Sequence, residues 1–131
     1  MEMKNIPVYG KGENIRDWLF VDDHIDAIWQ ILQFGKRGQT YDIGGEELSN
    51  IDLIRFVIKK YAEAVKKSKE EFFSLISFVT DRPGHDFRYA IDVSKIKNEL
   101  KWSPRISISE GLERTINFYV KNYFTCHMEN N

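Results

Sequence analysis

Apolar residues recur along the chain with two different spacings. Short runs at 6–9 and 15–21 combine β-branched and aromatic residues on either side of a glycine-rich turn, which predicts two extended segments. Pro7 lacks the N–H of a ladder hydrogen bond, so it favours an edge position for the first segment. From Asp22 the apolar spacing changes to three and four residues, which predicts a helix over 23–34. Its apolar positions are Ile25, Ile28, Trp29 and Leu32.

The rest of the chain continues this alternation. The same spacings predict a strand over 40–43, a helix from Asn50, a strand over 76–80, a short helix with Ser94 as its N-cap and a final helix from Ser109. Strands that alternate with helices indicate an α/β fold. Residues 126–131 show no pattern, so we predict a disordered tail there.

Composition restricts the classes of function. The 131 residues fit one compact domain, and 19 basic against 20 acidic side chains give a formal charge of −1. We therefore predict no nucleic-acid partner and no attraction to a membrane surface. No apolar run is long enough to span a bilayer. Cys126 is the single cysteine of the sequence, which excludes an internal disulfide and fits a cytoplasmic location.

The stretch 81–89 carries the most informative chemistry. It presents the guanidinium groups of Arg82 and Arg88 and the imidazole of His85 on a turn-rich segment that follows a strand. Arginine donates to two phosphate oxygens at once and histidine adds a further donor, so such a loop suits a diphosphate. The alternative is that Arg82 pairs with a neighbouring aspartate, Asp81 or Asp86, and closes a turn. The residues alone leave both interpretations open.

Other candidate residues have simpler explanations. Arg16 follows a glycine-rich turn near Tyr9, but by itself an ion pair with Asp17 or Glu13 is the better interpretation. Asn50 opens a helix, where capping is the ordinary role of asparagine. The histidines do not converge with carboxylates at ligand spacing, so we predict no metal site. No complete glycine-rich phosphate motif occurs, so we predict no cofactor-binding residue.

Several segments taken together resemble a known enzyme family. They occur in collinear order at 7–12, 15–24, 41–45, 81–86 and 88–92. They resemble the C-terminal part of the dTDP-glucose 4,6-dehydratases, which are extended short-chain dehydrogenase/reductases of the NAD-dependent epimerase/dehydratase family. The motif Asp-Arg-Pro-Gly-His-Asp at 81–86 is the most specific of them. The resemblance implies that residues 1–125 form a substrate-binding lobe together with edge elements of a Rossmann fold.

The resemblance also implies a nucleotide-sugar site. Arg16 and Arg82 would clamp the diphosphate, while His85 and Asn50 would add hydrogen bonds. The base would be lined by Pro7, Val8 and Tyr9, with the tyrosine ring near thymine. These roles make the ligand-facing interpretations of Arg16, Asn50 and Arg82 the preferred ones.

Enzymes of that family convert dTDP-glucose to dTDP-4-keto-6-deoxyglucose in deoxysugar (rhamnose-type) biosynthesis. They oxidise the sugar at C4 with NAD, eliminate water across C5 and C6, and return the hydride at C6. This chemistry uses a G-x-x-G-x-x-G turn, a Y-x-x-x-K pair and an Asp-Glu pair, and none of these occurs in the chain. We therefore expect an absent N-terminal NAD-binding domain, NAD in the longer enzyme only, and no catalytic residue or turnover in this chain.

Two alternatives stay open. The chain could be the C-terminal part of another nucleotide-sugar epimerase or decarboxylase, or a non-catalytic interaction module. Elements separated from a Rossmann sheet would expose apolar faces, so we expect marginal stability or a homo-oligomer. The expected partners are accordingly a dTDP-sugar, the missing Rossmann domain and a further copy of the chain.

Overall fold

The computed structural model describes the backbone of residues 3–128 and the side chains of residues 3–122. Strands and helices are interspersed along this range, with one parallel and one antiparallel strand pair, which confirms the α/β class. They are β1 (Ile6–Tyr9), β2 (Ile15–Trp18), α1 (Val21–Phe34), β3 (Glu46–Ser49), α2 (Asn50–Val65), α3 (Lys69–Phe73), β4 (Ile76–Val79), α4 (Ser94–Leu100) and α5 (Ile108–Met128). None of the helices in the described range has both the length and the apolarity needed to cross a membrane.

The four strands form two separate pairs. β1 and β4 run parallel, with Ile6 opposite Ile76 and Tyr9 opposite Val79. β2 and β3 run antiparallel. Because parallel strands end at the same edge, the segments that follow β1 and β4 start side by side. That edge is where ligands commonly bind in parallel sheets.

The apolar interior is divided between two clusters. One joins Ala27 of α1 to Ile96 of α4 and to the indole of Trp102. The other joins Ile58 of α2 to Phe72 of α3, and residues of both β1 and β4 pack against it. The parallel strands and α1 are therefore stabilised by different sets of apolar contacts.

Helix α1 buries a narrow face and leaves a wide apolar face outside. Ala27 is fully buried, and the buried Asp23 carboxylate accepts the backbone N–H groups of Arg105 and Ile106 at 3.1 and 2.9 Å. The opposite face, which we call the α1 stripe, consists of the exposed residues Val21, Ile25, Ile28, Trp29 and Leu32. The expected exposure of an apolar face is therefore found on this helix.

The strand predicted over 40–43 is wrong, because β3 begins further along the chain and spans Glu46–Ser49. The side chain of Tyr41 packs against the cluster between α1 and α4. The carbonyl of Thr40 accepts a hydrogen bond from the Lys95 ammonium at 2.7 Å rather than from a neighbouring strand. Contacts with α4 thus replace a strand ladder here.

Several predicted boundaries also differ. The extended segment predicted over 15–21 ends at Trp18, and α1 begins at Val21. Ser94 is the first residue of α4 rather than its N-cap, and its N–H donates to the Asp92 carboxylate at 2.9 Å. Helix α5 continues to Met128, so the predicted start of the tail at residue 126 falls inside this helix. Residues 129–131 of that predicted tail lie outside the described residues.

Candidate functional site

The carboxyl edge of the parallel strands organises the candidate site. β1 ends at Tyr9, and the N–H of Gly10 donates to the carbonyl of Val79 at the end of β4, at 2.9 Å. The loop 81–89 leaves β4 at this edge. It therefore begins beside the turn that follows β1.

The loop is also fastened to β2. The backbone N–H of Ile15 donates to the Phe87 carbonyl at 2.8 Å, and its carbonyl accepts the N–H of Tyr89 at 3.1 Å. The buried Asn14 carboxamide donates to the Asp86 carbonyl at 3.2 Å. These bonds join segments that are about seventy residues apart in sequence, so the loop is held against a strand it does not follow.

Arg16 of β2 points into this loop. Its Nη2 lies 2.9 Å from His85 Nε2 and donates to the carbonyl of Asp86 at 3.0 Å. Its Nη1 donates to the carbonyl of Ile15 at 2.6 Å, and the guanidinium carbon lies 4.6 Å from the centroid of the Tyr89 ring. The position of the guanidinium is thus defined by neutral acceptors and an aromatic face.

The ion-pair explanations of the two arginines are wrong. Within residues 3–122, neither Arg16 nor Arg82 forms a salt bridge. The Asp17 carboxylate accepts the N–H of Gly45 instead. Asp81 accepts the backbone N–H of Arg82, at 2.8 Å from Oδ1, and forms no salt bridge with its guanidinium.

His85 contacts Arg16 directly and the ring of Tyr9, over which Arg82 lies. Its Nδ1 is 2.7 Å from an Asp81 oxygen, and its side chain is 6% exposed. The ring meets Tyr9 edge to face, with the centroids 6.4 Å apart, and the guanidinium carbon of Arg82 lies 5.4 Å from the centroid of Tyr9. Because Nε2 contacts Arg16, both ring nitrogens are engaged within the protein.

All seven residues predicted to contact a ligand line one of two neighbouring clefts. The cationic cleft, of about 200 Å³, is lined by Arg16, Arg82, Pro83, Gly84, His85, Asp86 and Tyr89. The aromatic cleft, of about 160 Å³, is lined by Pro7, Val8, Tyr9, Trp18, Asn50, Leu53 and Ile54. The Tyr9 ring connects the two, because it contacts His85 and Arg82 of the cationic cleft.

Two residues of the aromatic cleft differ in what they offer. The Val8 side chain is buried in the interior, so the side chains that β1 presents to the cleft are those of its neighbours Pro7 and Tyr9. Ser49 is the N-cap of α2 and accepts the N–H of Asp52 at 3.1 Å. Capping therefore does not require Asn50, whose carboxamide forms no hydrogen bond with another described residue.

Arg88 does not share the environment of Arg82. It forms a two-point salt bridge with the Glu47 carboxylate of β3, with N–O distances of 2.8 and 2.9 Å. This hydrogen bonding lowers the pKa of Glu47 and raises the pKa of Arg88. Arg88 therefore anchors the loop to β3, and its predicted part in a diphosphate site is wrong.

Sequence reasoning missed the residues that hold the site together. The hydroxyl of Tyr89 donates to the Asp86 carboxylate, which raises the pKa of the tyrosine. The hydrogen bond with His85 lowers the pKa of Asp81. The available signal was the position of these two aspartates, which flank the arginine and histidine of one short motif.

An α/β architecture with a cationic cleft at the carboxyl edge of its parallel strands is typical of the Rossmann-like nucleotide-binding enzymes. The particular family follows from sequence. A sequence model described as GDP-mannose 4,6 dehydratase matches residues 1–115, and the chain belongs to that family.

Individual relatives agree with this assignment. The dTDP-glucose 4,6-dehydratase of Escherichia coli is 46% identical over 123 residues, which cover 91% of this chain and 34% of that enzyme. The crystal structure of a Bacillus anthracis dTDP-glucose 4,6-dehydratase in complex with NAD has a TM-score of 0.73 and 42% identity, over 91% of this chain and 35% of that one. A Thermotoga maritima UDP-glucose 4-epimerase with UDP-glucose has a TM-score of 0.74 and 26% identity, over 92% and 36%.

The chain spans about a third of the length of the curated relatives it matches, and it corresponds to a C-terminal portion of them. Its own residues do not fit NAD. The single G-x-G of the sequence, Gly10–Gly12, lies between two strands, whereas a dinucleotide turn leads from a strand into a helix. No lysine lies four residues after any tyrosine.

Proposed function

We propose that this chain is the nucleotide-sugar-binding portion of a dTDP-glucose 4,6-dehydratase. The observation that carries the proposal is the cationic cleft, where Arg16 contacts the buried imidazole of His85 and Arg82 lies over Tyr9, neither arginine forming a salt bridge within the described residues. The dehydratases that the chain resembles at 46% and 42% identity support the choice of substrate class.

The two arginines provide the donors that a diphosphate requires. Arg82 forms no salt bridge within residues 3–122, so its planar N–H groups can donate to two phosphate oxygens at once. Arg16 uses one Nη1–H and its Nη2 group within the protein, which leaves Nε–H and the second Nη1–H for a ligand. The diphosphate would therefore lie between these two side chains.

The aromatic cleft provides a surface for the nucleoside. Tyr9 is 47% exposed and its ring reaches both clefts, so a pyrimidine stacked on it would remain close to the diphosphate. Asn50 lines the same cleft with a carboxamide that has both donors and an acceptor. This arrangement supports the predicted roles of Pro7, Tyr9 and Asn50 toward the base and its neighbours.

Hydride transfer and dehydration are assigned to the longer enzyme. The net reaction removes one water from dTDP-glucose, and the NAD reduced at the first step is restored at the last. The chain has no residues for that cofactor, so we expect it to bind a dTDP-sugar without turnover when supplied with NAD. Mass spectrometry of the sugar after incubation would show no loss of water. A cytoplasmic location stays a prediction.

Calorimetric titration with dTDP tests the proposal. We expect weak, salt-sensitive binding by the wild-type chain, because the contacts are mainly ionic. Arg82→Ala should weaken it about 10- to 100-fold, since hydrogen bonds to charged groups contribute about 1.5–3 kcal/mol each. Arg37→Ala, which removes an exposed arginine outside both clefts, is the matched control and should bind like the wild type.

The same titration separates the alternatives. Equal or tighter binding of UDP would favour a portion of an epimerase, as the likeness to the UDP-glucose 4-epimerase allows. Self-association without affinity for dTDP, UDP or GDP at high concentration would contradict a nucleotide-sugar site. That result would favour the interaction module.

A further inference from the structure

Asp81 and two side chains of the cationic cleft, His85 and Arg16, form a hydrogen-bonded series. An Asp81 oxygen lies 2.7 Å from His85 Nδ1, and His85 Nε2 lies 2.9 Å from Nη2 of Arg16. A guanidinium group has N–H donors only, so Nε2 has to be the acceptor in its contact with Arg16. The ring proton must then lie on Nδ1, which donates it to the Asp81 carboxylate. The contacts therefore define a neutral imidazole with one particular tautomer.

Asp81 is itself held in place. Its Oδ1 also accepts the backbone N–H of Arg82 at 2.8 Å. Its side chain lies against Gly10, where an added Cβ would be 3.1 Å from Oδ2. The carboxylate is thus oriented by the loop on one side and by the turn after β1 on the other.

We propose that Asp81 is a positioning residue: it holds His85 in the Nδ1–H tautomer, and His85 in turn orients the Arg16 guanidinium toward the ligand. The expected effect of Asp81 on ligand affinity rests on the proposed function. The expected tautomer of His85 does not depend on it. His85 then acts on the diphosphate through Arg16, because both of its ring nitrogens are engaged within the protein; this role differs from the direct hydrogen bond to the ligand that the resemblance implied.

A purely structural role for Asp81 is the competing explanation. The carboxylate could close the turn by accepting the Arg82 N–H, as the Asp92 carboxylate accepts the N–H of Ser94. That role would affect stability but not the imidazole proton. Nitrogen-15 NMR of the histidine rings distinguishes the two, because protonated and unprotonated ring nitrogens have different chemical shifts.

The experiment uses the whole chain with nitrogen-15-labelled histidine. In the wild type we expect His85, identified by loss of its signals in His85→Gln, to be protonated on Nδ1 alone. Asp81→Asn should move the proton to Nε2, because the carboxamide can donate to Nδ1. Asp81→Ala, which has no side-chain partner, should remove the preference. Asp92→Asn is the matched control and should leave the spectrum of His85 unchanged.

Calorimetry with dTDP completes the test. Asp81→Asn should weaken binding about tenfold, as expected when one charge-assisted contact is misaligned. Asp81→Asn combined with Arg16→Ala should bind like Arg16→Ala alone, since both changes affect one series of contacts. An Nδ1–H tautomer that persists in both Asp81 variants, or an Nε2–H tautomer in the wild type, would overturn the inference. Absence of dTDP binding by every protein would instead refute the proposed function, and the spectra would still decide the role of Asp81.

Discussion

At the scale of single residues, three arginines near the loop carry the same charge but meet different partners. Glu47 neutralises Arg88 through two hydrogen bonds, whereas Arg16 is held by carbonyl oxygens, an imidazole and an aromatic ring. The guanidinium of Arg82 lies over Tyr9. Neither Arg16 nor Arg82 forms a salt bridge within the described residues, so both guanidinium groups keep N–H donors for a ligand, although the carboxylates of Asp86 and Asp81 lie close by.

The Glu47–Arg88 pair predicts a pH dependence of stability. The pKa of Glu47 is lowered, chiefly by its hydrogen bond from Arg88, so the pair stabilises the fold while the carboxylate is ionised. That contribution is complete above the ordinary pKa of glutamate and is lost as the pH falls through the lowered value. Between about pH 6 and pH 3 the wild type should therefore lose more stability than Glu47→Gln, a difference measurable by urea unfolding at each pH.

The size of this effect is limited by solvent, because Glu47 and Arg88 are partly exposed. Glu13→Gln is the control, since it removes an exposed carboxylate that forms no salt bridge with another described residue. Identical pH profiles for the wild type and Glu47→Gln would show that the pair does not stabilise the folded chain.

At the scale of elements, the site depends on how the strands end. Parallel pairing of β1 with β4 brings Tyr9 and the start of the loop 81–89 to one edge. The turn 10–14 then returns the chain to β2, which presents Arg16 to that loop. The geometry of this turn therefore sets the distance between Tyr9, which reaches both clefts, and Arg16.

The turn predicts a specific cost of substitution. Gly12 has a φ of +72°, and a Cβ there would lie 2.8 Å from Val8 Cγ1 and 2.9 Å from Ile51 Cβ. Gly12→Ala combines backbone strain with overpacking and should reduce the free energy of unfolding by about 2–4 kcal/mol. Gly38→Ala is a matched comparison, because Gly38 has a φ of +74° with nothing within 4 Å of the added atom.

Gly38→Ala should reduce the free energy of unfolding by about 1 kcal/mol, because it introduces backbone strain at a positive φ without overpacking. Denaturant unfolding followed by circular dichroism measures both variants. Equal losses of unfolding free energy in the two variants would mean that the close packing of Gly12 against Val8 and Ile51 adds nothing to the cost of Gly12→Ala.

At the scale of the whole molecule, the apolar groups are not gathered into one interior. Two clusters stabilise different parts of the described chain, and the α1 stripe faces solvent. Exposed apolar stripes of this kind favour association with another surface. The relatives are about three times longer, so a longer enzyme has additional structure that could cover the stripe.

The stripe predicts concentration-dependent self-association of the isolated chain. Leu32 is 74% exposed, and Leu32→Lys should shift the protein toward monomer in sedimentation velocity, because a charge cannot be buried without a partner. Gln33→Lys adds the same charge to the next residue of α1, outside the stripe, and should have little effect. A wild-type chain that remains monomeric at every concentration would contradict this prediction.

Local patterns were sufficient where an element depends on its own residues. The apolar repeat predicted α2, and the two short runs predicted β1 and the start of β2. They failed at 40–43, where Tyr41 and Thr40 contact α4, an element about fifty residues away. They also could not show that Ser49 caps α2, because two polar residues compete for that position and only the backbone geometry selects one.

The sequence by itself determined the α/β class and most of the elements, and the seven site residues that the family resemblance implied are among the fourteen that line the two clefts. Periodicity and motif chemistry are local properties, so they can be read from residues close together in the chain. Only the tertiary structure decided which charges remain unpaired: Arg88 meets Glu47 across 41 positions, and Arg16 meets His85 across 69. It also decided which face of α1 is buried, because Ala27 packs against α4 and the Asp23 carboxylate accepts backbone N–H groups of the segment before α5.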